Sequence, residues 1–266
     1  MKILFFGDII GRAGRRAVTE ILSKWREFYT PDVVIGNVEN LAHGKGLTTK
    51  ALKELIALGF DAFTSGDHIF HGGHGETLAA DPQYKIVRPL NCEINSPGVG
   101  SLRLSLGSRD LLLVNLAGQV FMPEGYSSPF TAIDKILSEE KIRGNLAGVL
   151  VDIHAEATSE KVALGWHLDG RISALVGTHT HVPTADAWVL PQGTAYLTDV
   201  GMTGIRESVI GVKTELSLGR FLTGEAIRFE PAEVGTAVVN AVLITIDPTT
   251  TKALSIDRLQ EFIAII

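Results

Sequence analysis

The chain has 266 residues, 45% hydrophobic and 20% charged, and this balance with 28 glycines excludes a disordered chain or a coiled coil. Its 24 Lys and Arg are outnumbered by 30 Asp and Glu, and the net charge of −6 argues against a broad electropositive surface for nucleic acid. The single cysteine, Cys92, excludes an internal disulfide and makes a reducing cytoplasm the expected setting.

In chain order, Ile3–Phe6 reads as a buried strand, and Asp8 cuts the apolar run short of a signal-peptide core. Residues 14–28 carry Val18, Ile21, Leu22 and Trp25 at helical period. Residues 33–35 form the next strand. Residues 48–58 form the next helix, with Thr48 as N-cap and Gly59 as its stop. A third short strand covers 61–64. This β-α-β-α-β order predicts a parallel sheet covered by helices. Residues 70–100, rich in Gly, Pro, Asp and Asn, read mostly as loop. Strands are expected at 111–116, 149–153 and 172–177, with a helix ending near 143 and another at 158–168. From Asp186 onward the pattern changes to short strands: 195–198, 227–229, 238–246 and 253–259. The apolar run 237–246 is far too short to span a bilayer. With no repeats or linker, one mixed α/β domain covering 1–266 is expected.

The polar residues of interest follow directly on apolar strands. Asp8 follows the first strand, Glu39 and Asn40 the second, and Asp67 and His68 the third. His154 follows 149–153, and His179 and His181 follow 172–177. In open α/β sheets, ligands bind outside the carboxyl ends of strands. Asp8 could equally cap the next helix. The glycines at 7, 11 and 14 suggest a nucleotide loop, but no Gly-Lys-Ser/Thr follows and the fingerprint spacing is wrong. His43, His71, His74 and His167 read as surface or loop histidines. In an extended segment, His179 and His181 would point to one side and could share a metal or a metal pair. Acids, an amide and three histidines make a mixed O/N donor set that suits Mn, Fe or Zn. Seven ligands are too many for one tetrahedral zinc and suit two metals sharing a carboxylate.

The order Asp8, Glu39-Asn40, Gly66-Asp67-His68, His154 and Gly177-Thr178-His179-Thr180-His181 resembles the calcineurin-like metallophosphoesterase superfamily. It is most similar to the bacterial YmdB-type phosphodiesterases, through the blocks 39–48, 152–161, 177–186 and 193–204. The resemblance implies a four-layer α/β/β/α metallophosphoesterase sandwich. It implies Asp8, Glu39, Asn40 and His181 on one metal, with Glu39 bridging, and Asp67, His154 and His179 on a second. Iron or manganese is implied, with zinc as the alternative. The implied reaction is phosphodiester hydrolysis, above all of 2′,3′-cyclic nucleotides. Hydroxide held between the metals would attack, and His68 would give the leaving oxygen its proton. The expected partners are a small phosphodiester or cyclic nucleotide. RNA ends and a homo-oligomer are further options, and no membrane partner is expected. Three positions depart from the family pattern: Asp67 where Asn is usual, Val38 before Glu39 where Gly is common, and Ile69-Phe70-His71 where an acid is usual. Asp67 adds a negative charge and removes an amide donor; Val38 would place bulk near the site.

Two other readings compete. A metal-dependent amidohydrolase on a (β/α)₈ barrel fits the length, but its His-x-His pair would come early and its βα units would continue to the end. A metal- and nucleotide-binding regulator with little turnover is favoured by Asp67 alone. Lys45, Arg88 and the cluster Arg12, Arg15 and Arg16 read equally well as solvated or salt-bridged charges.

Overall fold

The computed structural model describes residues 1–72, 74–93 and 95–266. The predicted β-α-β-α-β start is present as β1 (Lys2–Phe6), α1 (Gly11–Tyr29), β2 (Val33–Asn37), α2 (Thr49–Ala57) and β3 (Ala62–Thr64). Strands β1, β2 and β3 pair in parallel. Thr48 caps α2 as expected, its hydroxyl accepting from Ala51 N at 3.3 Å. The chain turns at Gly59, where φ is +90°.

The second half contributes α3 (His74–Ala80), β4 (Ser101–Leu106), β5 (Arg109–Ala117), α4 (Pro129–Arg143) and β6 (Leu146–His154). Then come α5 (Thr158–Leu168), β7 (Ala174–Thr178), β8 (Trp188–Val189), β9 (Ala195–Leu197) and β10 (Gly204–Ile205). The chain closes with α6 (Thr214–Thr223), β11 (Gly235–Ile246) and β12 (Ala253–Ile265). One sheet runs β10-β11-β1-β2-β3 with β12 on β11; the other runs β4-β5-β6-β7-β9-β8.

Alternation along the strands builds the layers. Ile3 and Phe5 of β1 pack with Leu111 and Leu113 of β5 between the sheets. Leu4 and Phe6 face Val18, Leu22 and Trp25 of α1, where the Phe6 and Trp25 rings stack at 5.6 Å. On the far side, Leu112, Val114 and Val151 pack with Ile133 of α4 and Leu164 of α5. This is the expected α/β/β/α sandwich. Both faces of its central strands are buried, so they read as continuous apolar runs.

Several local expectations are corrected. The 70–100 stretch is mostly loop, as expected, but also holds α3 and a 3₁₀ turn at Pro82–Tyr84; Gly73 and Ile94 in it lie outside the described residues. Residues 227–229 are not a strand, for they find no partner strand. The C-terminal strands are long rather than short, β11 having 12 residues and β12 having 13. Among the described residues no helix is long and apolar enough to cross a membrane.

Candidate metal centre

The carboxyl ends of β1, β2 and β3 in one sheet meet those of β6 and β7 in the other. The segment after β9 crosses from the second sheet to the first and fixes both edges. Thr203 N donates to Asp8 O at 2.8 Å, and Met202 N donates to His181 O at 3.0 Å.

Glu39, Asp67, His154 and His179 each bring one donor atom to a common point, all within 4.8 Å of one another. His154 Nε2 lies 3.1 Å from Glu39 Oε2 and 3.1 Å from Asp67 Oδ1. His179 Nδ1 lies 3.0 Å from His154 Nε2 and 3.6 Å from Asp67 Oδ1. Beside this point, His181 Nε2 lies 3.6 Å from Asp8 Oδ1 and 3.2 Å from Asn40 Nδ2. Asn40 Nδ2 also donates to Glu39 Oε1 at 2.9 Å, so Glu39 has one oxygen toward each group. All seven sequence-predicted ligand residues therefore gather here, together with His68.

Cations fit this donor set. Asp8 is fully buried, yet its Oδ1 has no hydrogen-bond partner among the described residues. A buried carboxylate oxygen without a donor is costly unless a positive charge meets it. Two imidazole nitrogens facing each other at 3.0 Å, with two carboxylate oxygens alongside, suit a borderline metal. Asn40 turns its carbonyl oxygen to His68 Nδ1 at 3.0 Å. Its amide would have to turn over to ligate beside His181.

Three sequence readings are corrected. Asp8 does not cap α1: the N-cap is Ile10, without a side-chain cap bond, while Asp8 Oδ2 accepts from His179 N at 3.2 Å. His179 and His181 do not lie on an extended segment. Their φ values of +98° and +67° are left-handed, and the bend sends His179 to Asp67 and His181 to Asp8. Val38 does not crowd the centre, because it is buried in the core on the α1 side of its sheet.

Supporting groups lie behind the clustered side chains. His154 Nδ1 is 2.9 Å from Thr178 Oγ1, and that hydroxyl donates to Asp152 Oδ1 at 2.8 Å. Burial pushes the Asp152 carboxyl up to about 6 against the nearby His154 charge and hydrogen bonds from Thr178 and Asn37. Such partners fix the tautomer and ring plane of a ligating histidine. Glu156 Oε2 sits 3.3 Å from His179 Nε2 and does the same for that ring. Sequence reasoning missed all of these, since each pairs residues that look unremarkable alone. Of the basic candidates, Arg15 bonds Glu54 and the Leu41 carbonyl. Arg88 is buried on the Pro89 and Ser96 carbonyls, so both are structural. His43, His71 and His74 are exposed, as expected.

Without metal, the charges balance among themselves. Burial opposes ionisation of Glu39, but the His154 charge and hydrogen bonds from His154 and His68 hold its carboxyl below the usual range. Burial likewise opposes ionisation of Asp67, where hydrogen bonds from His154 and His179 prevail. Asp8 follows the same pattern through His181. Burial works against protonation of His154, but Glu39 and Asp67 raise it well above its ordinary value. His181 is pushed up to about 9 by Asp8 and the Ile210 carbonyl against its own burial. The raised histidines stabilise the metal-free fold below about pH 6.5, and that gain is lost as pH rises through about 9 for His181. The depressed acids stabilise it above about pH 4, and that gain is lost as pH falls through their folded values. Metal bound through these nitrogens would have to displace the histidine protons. Titrating Mn²⁺ into the metal-free protein at pH 7, in buffers of differing ionisation enthalpy, should show about two protons released per chain. Affinity should rise with pH toward 9; release of no protons would contradict the charge state described.

The fold is the four-layer α/β/β/α sandwich expected of a metallophosphoesterase, and it carries a candidate metal cluster at the edge of its sheets. The YmdB-like protein family model matches residues 4–259, and the chain belongs to that family. It is 44% identical over 259 residues to a 2′,3′-cyclic-nucleotide 2′-phosphodiesterase of Bacillus subtilis (strain 168), covering 97% of this chain and 96% of that protein. A hypothetical protein from Thermus thermophilus superposes with a TM-score of 0.91 at 42% identity, covering 98% and 99% of the two chains. A phosphatase from Mycoplasma pneumoniae does so with 0.92 at 33% identity, covering 100% of this chain and 94% of that one.

Proposed function

We propose that this chain is a metal-dependent phosphodiesterase acting on 2′,3′-cyclic nucleotides. The observation that carries this reading is the convergence of Glu39, Asp67, His154 and His179 beside the orphaned Asp8 oxygen, in a chain matching the Bacillus subtilis enzyme nearly end to end. Asp8, Glu39, Asn40 and His181 would hold one metal, and Glu39, Asp67, His154 and His179 a second. Two such cations, iron or manganese with zinc as the alternative, supply a water-derived nucleophile near neutral pH and Lewis-acid stabilisation of phosphoryl oxygens.

The chain's own part is to orient and to move a proton. His68 Nδ1 lies 3.0 Å from the Asn40 side-chain amide and 3.2 Å from Glu39 Oε1; with that amide turned over to ligate, Asn40 Nδ2 would donate to Nδ1 and the ring proton would sit on Nε2. Its Nε2 edge is freer, 3.7 Å from Asp67 Oδ2, and the side chain is 25% exposed. This leaves Nε2 as the atom able to pass a proton to a leaving ribose oxygen. His68→Ala is expected to keep its metals and lose about 10²–10⁴-fold in kcat. Full turnover with metals in place would remove His68 from the reaction. Asp67→Asn removes one negative charge where a phosphodiester must approach, and it is expected to keep or raise turnover. A collapse of activity would show that the carboxylate is required.

The reading is tested by assaying the Mn²⁺-, Fe²⁺- and Zn²⁺-loaded protein with 2′,3′-cyclic nucleotides, 3′,5′-cyclic nucleotides, an RNA with a 2′,3′-cyclic end, and phosphomonoesters. Preferential hydrolysis of 2′,3′-cyclic mononucleotides is expected. Turnover of none of the diesters, with metal bound, would overturn the assignment.

A further inference from the structure

Hydrolysing a phosphodiester requires nothing apolar beside the metals, yet the cluster opens onto a cavity of about 710 Å³ with an aromatic wall. His68, His181 and Asn40 line it from the cluster, and Ile210, Phe229 and Pro231 line it from the C-terminal half. That volume is in the range of pockets that enclose a whole small molecule. Ribose and phosphate alone would leave much of it unfilled.

Phe229 is 40% exposed, and the Arg220 guanidinium lies 5.0 Å from its ring centroid. The cation–π contact steadies the ring, which stays exposed enough to meet a planar partner in the cavity. The ring's backbone is also tied to the metal centre. Lys213 N donates to Glu230 O at 3.0 Å, and Ala232 N donates to Gly211 O at 2.9 Å. Gly211 follows Ile210, whose carbonyl is 2.8 Å from His181 Nδ1. The segment carrying Phe229 is thus pinned to the loop that orients a proposed metal ligand.

We propose that this cavity is the nucleobase subsite and that Phe229 is its stacking surface. The proposal rests on the phosphodiesterase reading: with the phosphate at the cluster, the base lies in the cavity against the Phe229 ring. Stacking on an aromatic side chain tolerates any base, because every base has a π-face. The subsite therefore selects nucleotides over base-free cyclic phosphates rather than one base over another.

The test compares 2′,3′-cyclic AMP with ribose 2′,3′-cyclic phosphate on the Mn²⁺-loaded protein. Wild type should favour the nucleotide in kcat/KM by about tenfold or more. Phe229→Ala should abolish that preference, chiefly through a raised KM for the nucleotide, and Phe229→Trp should retain it. A preference unchanged in Phe229→Ala would overturn the subsite, as would equal wild-type turnover of the two substrates. Wild type that hydrolyses neither would instead refute the phosphodiesterase reading itself.

Discussion

Gly66→Ala should strip the metal centre and lower phosphodiester turnover by at least about 10³-fold, since the metals contribute several kcal/mol and each 1.36 kcal/mol is tenfold. A Cβ at this position would sit 2.2 Å from Glu39 Oε2, 2.3 Å from His154 Cδ2 and 2.4 Å from His154 Nε2. Neither side chain can step aside. Glu39 is 1% exposed and holds His154, Asn40 and the His68 amide, while His154 is fully buried and backed by Thr178. One methyl group therefore separates the Glu39 carboxylate from His154 while leaving every proposed ligand in the chain. Metal content by elemental analysis, activity, and a circular-dichroism melt check this together. A folded variant with full metal content would show that the two side chains have room the structure does not provide.

The same glycine shows where sequence reading reaches its limit. Asp67 and His68 are legible because they follow an apolar strand; Gly66 before them looks like any turn residue. The first half of the fold is legible because strands buried on both faces give short apolar runs and α1 carries a clear apolar stripe. The signal for β4 was present in Leu102, Leu104 and Leu106, alternating before the Gly107-Ser108 turn. By contrast, α6 went unread although Leu218, Phe221 and Leu222 stand at i, i+3 and i+4; the structure leaves all three exposed and buries only Ser217 of this helix. The clustered residues were legible as a set, but the geometry that unites them was not. Alternation in an extended chain puts His179 and His181 on one side, and only the left-handed backbone at both positions parts them toward Asp67 and Asp8.

That backbone has its own anchor, and removing it is the second large effect expected. Lys161 on α5 is 1% exposed and donates to Thr178 O at 2.7 Å and to Asp199 Oδ2 at 2.9 Å. The same Asp199 oxygen accepts from Thr180 N at 3.2 Å and Thr180 Oγ1 at 2.7 Å, and Oδ1 accepts from Gly201 N at 2.8 Å. A buried ion pair thus holds the residues on both sides of His179 and the start of the segment that crosses to Asp8. Lys161→Met keeps the aliphatic stem but leaves a buried carboxylate without its cation. The expected cost is about 3–5 kcal/mol of folding stability, read as a lower urea midpoint at unchanged slope. If the bend at 179–181 is held by this pair, Mn²⁺ affinity of the variant falls as well, which a loss of packing alone would not produce. Lys161→Arg, Asp199→Asn and the double variant separate charge from shape in a thermodynamic cycle. Wild-type stability and metal affinity in Lys161→Met would mean that the bend is set by Gly177, where a Cβ would lie 1.8 Å from the Thr198 carbonyl oxygen, and by the chain crossing at Met202 and Thr203.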